Sequence, residues 1–240
     1  MSDAQWHYET AADIDQPLGE RLRHFPREPD MLVYGLRAIA TLSLRAWLKI
    51  YHRLQIAGRE NLPDEGSFVM VANHSSHLDA LALLAALPAK KVHRAFPAVA
   101  EDYFFVSLPR AVLSAIFINA LPFGRKVHVR QSLDLCRRLL ANPGNILILF
   151  PEGTRSATGR MGEFRPGIGA LAAGMDLPVV PCAVQGAFAA WPKGAFLPRP
   201  GAMRLIIGKP RNYAGRTPHK ELAQQIAAEL RDAVEELLCR

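Results

Sequence analysis

Phe68-Val69-Met70-Val71-Ala72-Asn73-His74-Ser75-Ser76-His77-Leu78-Asp79 is the stretch on which the fold turns. Five consecutive apolar residues ending in a polar turn read as a short strand. The residues that follow, Ala80–Leu87, are helix formers. Strand, turn and helix in that order form one step of an alternating α/β chain. A second step lies further on: the apolar run Ile146-Leu147-Ile148-Leu149-Phe150 leads into Pro151-Glu152-Gly153-Thr154-Arg155-Ser156.

Other segments repeat the pattern. β-rich runs fall at 67–72, 94–100, 146–150, 179–184 and 203–207, and helical stretches such as Arg130–Ala141 separate several of them. The last helix has Thr217 as expected N-cap, Pro218 at its first position and Glu221 in its first turn. Leu222, Ile226, Leu230, Val234 and Leu237 then share one face. The expectation is an α/β fold, a mostly parallel sheet flanked by helices. In such sheets ligands bind beyond the carboxyl ends of the strands. Both polar loops sit there.

The first loop carries a histidine five positions before an aspartate. On a continuous helix five residues turn a side chain by about 140°, so His74 and Asp79 would not face each other. They meet if His74 lies in the turn after the strand and Asp79 in the first turns of the helix, which Ser75 or Ser76 could cap. Asp79 would then orient one ring nitrogen and leave the other to take a proton from a hydroxyl. No G-x-S-x-G elbow is present to supply a serine nucleophile. His74, His77 and Asp79 match no H-E-x-x-H pattern, so no metal is expected, and His77 reads as a loop or packing histidine. In the second loop Gly153 allows close backbone approach and Arg155 offers a planar fork suited to phosphate. Glu152 is expected to orient that arginine or another polar group.

The formal charge of +7 is unevenly placed. Residues 1–30, a polar and mobile leader by composition, carry −4, so the remaining 210 residues carry +11. A body that basic suits an anionic partner. Lipid headgroups or an acidic carrier protein fit better than nucleic acid, because no zinc-finger spacing or aromatic-basic RNA motif is present. Cys136, Cys182 and Cys239 are too few and too far apart for a disulfide framework.

No uninterrupted apolar stretch reaches the roughly 20 residues of a plain transmembrane helix. Tyr103–Phe123 comes close, but Pro109, Arg110 and Pro122 interrupt it, and it reads as a broken apolar helix pair, buried or dipping into lipid. Residues 31–54 read as an amphipathic, membrane-associating helical segment preceding the 55–240 domain. Arg37, Arg45, Lys49 and Arg53 fall within roughly a 160° arc, with Leu36, Ile39, Leu42 and Ile50 filling the rest. The expected setting is the cytoplasmic face of a membrane, as a peripheral or monotopic protein.

Asn73-His74-x-Ser76-x-x-Asp79 followed by Phe150-Pro151-Glu152-Gly153-Thr154-Arg155-Ser156 resembles the lysophosphatidic acid acyltransferase family, the phospholipid/glycerol acyltransferases. The resemblance covers roughly 55–215. Phe117–Arg125 is similar to that family's second block and Leu177–Pro181 to its fourth, while Phe164-Arg165-Pro166-Gly167 fits the basic turn after the third. The resemblance implies His74 as general base and Asp79 as its orienting carboxylate. It implies Arg125, Glu152, Gly153, Thr154 and Arg155 as the acceptor's phosphate site, with Lys126 or Arg130 able to share the role of Arg125. Pro178 and Pro181 map near the acyl donor. The implied reaction moves a fatty acyl group from acyl-CoA or acyl-carrier protein, as co-substrate with no resident cofactor, to a lysophospholipid hydroxyl. The default acceptor is 1-acylglycerol-3-phosphate. The alternatives are another lyso-lipid acceptor, or a membrane lipid-binding protein without catalysis.

Overall fold

The computed structural model describes residues 31–100, 119–123 and 129–240. Seven strands form one sheet: β1 (Gln55–Ala57), β2 (Phe68–Ala72), β3 (Ala95–Ala100), β4 (Leu121–Phe123), β5 (Ile146–Leu149), β6 (Val179–Gln185) and β7 (Arg204–Ile207). Their order is β1-β7-β6-β2-β5-β3-β4, parallel throughout except between β6 and β7. β2 is central, flanked by β5 and β6, and all five of its residues are buried. That environment explains its unbroken apolar run, since neither face meets water.

The period of two along each strand divides the core. Phe68, Met70, Ile146, Ile148, Val180 and Leu205 point to one face, where they pack with α2 (Leu78–Ala86) and with Val92 of α3 (Ala89–Val92). Val69, Val71, Leu147, Val179 and Ile206 point to the other. There they meet α4 (Val129–Ala141), α5 (Gly167–Ala172) and α7 (Lys220–Leu238). A short α6 (Ala187–Ala190) follows β6. Leu222, Ile226, Leu230, Val234 and Leu237 are all buried, as the spacing predicts. α7 lies so close to α5 that a Cβ on Gly169 would stand 1.9 Å from the Ala223 carbonyl oxygen.

Four expectations need correction. α7 begins at Lys220 rather than at Pro218, and its N-cap is His219 in extended conformation, not Thr217. The His219 ring holds the Thr217 carbonyl oxygen at 2.8 Å instead. β1 and β4 are three-residue strands that no periodicity announces. β4 takes the last three residues of the segment read as a broken helix pair and pairs them with β3, while 101–118 lie outside the described residues, as does the leader 1–30.

The fourth correction concerns α1 (Met31–Ile50). Only Arg37 and Arg45 of its basic arc turn toward the protein, while Lys49 is exposed. Arg37 is 3% exposed, and Arg45 donates to the Leu87 carbonyl at the end of α2, where the helix dipole favours a cation. Leu36, Ile39, Leu42 and Ile50 point outward and are exposed. Arg53 lies beyond the helix, with a positive φ of 46°. The sequence defines two faces, but contacts with α2 and α3 decide which turns inward. No described helix is long and apolar enough to cross a membrane.

Candidate active site

Beyond β2 the chain enters a turn held from three sides. The Asn73 amide donates to the Val184 carbonyl at 3.0 Å and accepts the Val184 N–H at 2.8 Å, fastening the turn to β6. The backbone N–H of His74 donates to Glu152 Oε1 at 2.6 Å, and its carbonyl accepts the Ser156 N–H at 2.8 Å. The His74 ring stacks on Phe150 with centroids 4.1 Å apart and planes inclined by 18°. Little freedom is left to this residue.

α2 starts at Leu78, so Asp79 stands in its first turn and reaches back over the loop. Its Oδ2 lies 3.0 Å from His74 Nδ1 and accepts the N–H groups of Ser75 and Ser76 at 2.6 and 2.8 Å. Asp79 is fully buried, at 0% exposure, and its Oδ1 has no hydrogen-bond partner among the described residues. A carboxylate accepts only, so Nδ1 donates to it and Nε2 carries the lone pair. The His74 side chain keeps 20% exposure. The pair can therefore take a proton from a hydroxyl that reaches it.

Ser76 Oγ accepts the Leu78 N–H at 3.2 Å and donates to the Trp191 carbonyl at 2.8 Å. His77, next along, sits with its ring centroid 5.4 Å from that of Trp191. Burial first, then the charges of Arg155 and His74, push its pKa down to about 4. An unfolded histidine titrates near 6.5. Between those values the unfolded chain binds the extra proton, so stability falls as pH drops from about 6.5 toward 4. His77→Gln is expected to flatten that part of the acid limb, read as the urea midpoint against pH. A limb of unchanged slope would show that His77 titrates normally.

The second loop lies against the first. Gly153 has φ +74°, and a Cβ there would stand 2.8 Å from Arg165 Nε, so glycine lets that guanidinium rest on the backbone. Arg155 is half-buried, and its charge reaches His77. Among the described residues no carboxylate pairs with it. Thr154 is exposed. Two cations, Arg155 and Arg165, thus flank the Pro151–Ser156 turn beside His74.

Of the two roles expected of it, Glu152 orients other polar groups and not an arginine. Its second oxygen accepts the Gly162 N–H at 2.9 Å, so both oxygens hold backbone N–H groups from two different loops. Burial pushes its carboxyl up, and the Gly162 and His74 N–H groups pull it back. A nearly buried anion so engaged is a brace, and its charge would repel a phosphate.

The structure gathers His74, Asp79, Glu152, Gly153, Thr154 and Arg155 at one end of the sheet. Pro178 lies away from them, and Pro181 stands level with Val71, three residues before His74. Pro178 precedes β6 and bonds the Val69 N–H at the opposite end of β2. Pro181 is buried within β6 opposite Val71, and its carbonyl accepts the Gly208 N–H. Both are framework. Arg125 and Lys126 lie outside the described residues, and so does the side chain of Arg130. Sequence reasoning missed the positioning roles of Asn73, Phe150 and Trp191, which nothing in their spacing signals. Arg165 had a signal in the basic Phe164–Gly167 turn.

The Acyltransferase family profile matches residues 53–185. A chloroplastic 1-acyl-sn-glycerol-3-phosphate acyltransferase of Brassica napus is 31% identical over 164 residues, covering 67% of this chain and 45% of its own length. The 1-acyl-sn-glycerol-3-phosphate acyltransferase of Bacillus subtilis is 30% identical over 199 residues, covering 82% of this chain and 90% of its own. This chain spans about half the length of the plant and algal relatives it matches. Among solved structures, the 1-acyl-sn-glycerophosphate acyltransferase PlsC of Thermotoga maritima superposes with a TM-score of 0.62 at 25% identity. That match covers 87% of this chain and 81% of the other.

Proposed function

Because the chain belongs to the Acyltransferase family, we propose that it moves a fatty acyl group from a thioester to the free hydroxyl of a lysophospholipid. The acceptor in this reading is 1-acylglycerol-3-phosphate and the product phosphatidic acid, in line with the 1-acyl-sn-glycerol-3-phosphate acyltransferases it resembles. The observation that carries it is the Nδ1–Oδ2 contact of 3.0 Å between His74 and a fully buried Asp79, beside a turn flanked by cations.

His74 Nε2 takes the proton of the acceptor hydroxyl as its oxygen attacks the thioester carbonyl. The tetrahedral adduct collapses, the C–S bond breaks, and the leaving thiolate takes the proton back from the imidazolium. Asp79 holds the ring and stabilises its transient positive charge. Arg155 receives the acceptor phosphate, with Thr154 and the Gly153 backbone beside it, and Arg125 supplies a second cation. Glu152 contributes by holding the His74 backbone in place. The donor is acyl-CoA or acyl-carrier protein. α1 rests on the cytoplasmic face of a membrane through its outward apolar face.

The test is to give the purified chain labelled 1-acylglycerol-3-phosphate with each donor type in turn and to identify the product by mass. Phosphatidic acid from either donor supports the reading. Its absence with both, alongside acylation of another lyso-lipid in a panel, moves the acceptor assignment. Arg155→Ala is expected to raise the acceptor KM by about tenfold to a hundredfold with kcat little changed, as befits a charge-assisted contact made before and during reaction. An unchanged KM removes Arg155 from the phosphate site.

A further inference from the structure

Phe196 and Leu197 are neighbours in sequence, and they are 91% and 68% exposed. They stand on a rigid mount. The Ala195 N–H bonds the Pro192 carbonyl at 3.1 Å, and the Trp191 indole N–H bonds the Ala195 carbonyl at 2.9 Å. The Arg199 N–H returns to the Ala190 carbonyl at 2.7 Å. So the chain holds two large apolar side chains in water on a braced loop rather than folding them in.

The loop is tied to α1. Tyr51, just past the end of that helix, donates its hydroxyl to the Pro198 carbonyl at 3.2 Å. Tyr51 also stacks on Trp47, with centroids 5.8 Å apart. Exposed Ile50 therefore ends the outward face of α1 next to the loop that carries Phe196 and Leu197.

Charge indicates what covers this surface. Residues 31–59 contain no Asp or Glu, and neither do residues 177–220. Lys49, Arg53, Lys193 and Arg199, in the same two segments, are exposed. Exposed apolar groups on two segments that carry exposed cations and no carboxylate fit an anionic lipid surface, where the former enter the acyl boundary and the latter meet headgroups. We propose that Phe196 and Leu197 form a second membrane foot, which with α1 docks the protein on an anionic bilayer at two points. The same loop is bonded to the His74 turn through Ser76 and Trp191, so the foot fixes how the active site stands over the lipid. The inference extends the membrane attachment proposed for α1 and does not depend on acyl transfer.

The test uses the full chain and sedimented vesicles of phosphatidylcholine, with or without an equal part of phosphatidylglycerol. No acyl donor is needed. Wild type is expected to prefer the anionic vesicles. The F196S/L197S variant, which alters exposed side chains only, is expected to bind them roughly tenfold or more weakly, because two large apolar groups no longer leave water. I39S/L42S on α1 serves as the parallel variant. Wild-type binding by F196S/L197S alongside loss by I39S/L42S overturns the second foot and leaves the α1 reading standing. Wild-type binding by both variants overturns the two together. Light scattering without vesicles gives the remaining outcome: a dimer of wild type that F196S/L197S abolishes would assign the patch to a second copy of the chain and overturn the proposal.

Discussion

His74→Ala is expected to lower kcat for acyl transfer by about 10²–10⁴-fold, the range that a positioned general base contributes. The acceptor hydroxyl would have to lose its proton to water instead. The fold should survive. Both backbone bonds of His74, to Glu152 and Ser156, are made by atoms that alanine keeps. What disappears is a partly exposed ring stacked on Phe150 and its contact with Asp79. Acceptor KM should change little, because the cations proposed to meet the phosphate are untouched. The check is steady-state kinetics of the purified variant together with its denaturant midpoint. Activity near wild type would remove His74 from the chemistry. Lost activity with a collapsed midpoint would mean that the fold had been tested, not the base.

Asp79 separates two roles that a single substitution often confuses. In Asp79→Asn the amide oxygen can take the place of Oδ2, where two backbone N–H groups and the imidazole converge. The amide NH₂ then falls at Oδ1, which has no partner among the described residues. Leaving such a buried donor unpaired costs about 1–3 kcal/mol. The larger effect is on rate. With the negative charge gone, the imidazolium that forms at His74 is no longer stabilised, and loss of such a carboxylate costs about 10⁴ in triad enzymes. A fall in kcat of roughly 10²–10⁴-fold is expected, with the protein still folded. Asp79→Ala also strands the N–H groups of Ser75 and Ser76 and should unfold far more readily. Combined with His74→Ala, Asp79→Asn should cost almost nothing further in kcat, since the two side chains act as one unit. A full second loss on top of the first would show that Asp79 acts independently of the histidine.

Much of this was readable because strands and helices write their period into the chain. The β2 and β5 runs, and the α7 face from Leu222 to Leu237, lie where spacing puts them. So does the turn between β2 and α2, because only a strand-to-helix corner lets residues 74 and 79 meet. β1 and β4 were hidden because three residues carry no period, and pairing with β7 and β3 alone defines them. The orientation of α1 was hidden for another reason. Its arginines look like a solvent face, yet Arg37 is buried and Arg45 satisfies the end of α2. Glu152 shows the same limit, because its partners are backbone N–H groups, and any residue but proline supplies one. The run from Leu177 to Pro181 was legible as strand, yet β6 begins only at Val179, so Pro178 lies just outside it and Pro181 within.

The Glu152 brace bears on how such an enzyme can change. The 150–162 loop holds the proposed anion clamp, and through one carboxylate it also sets the height of the histidine backbone. The two loops therefore cannot be inherited or exchanged as independent modules. A graft of the 150–156 segment alone, intended to alter the preferred headgroup, carries the alignment of the base with it and will disturb turnover unless the 73–79 turn travels too. Change of acceptor in this architecture is thus a coupled move of two segments that lie more than seventy residues apart in the chain.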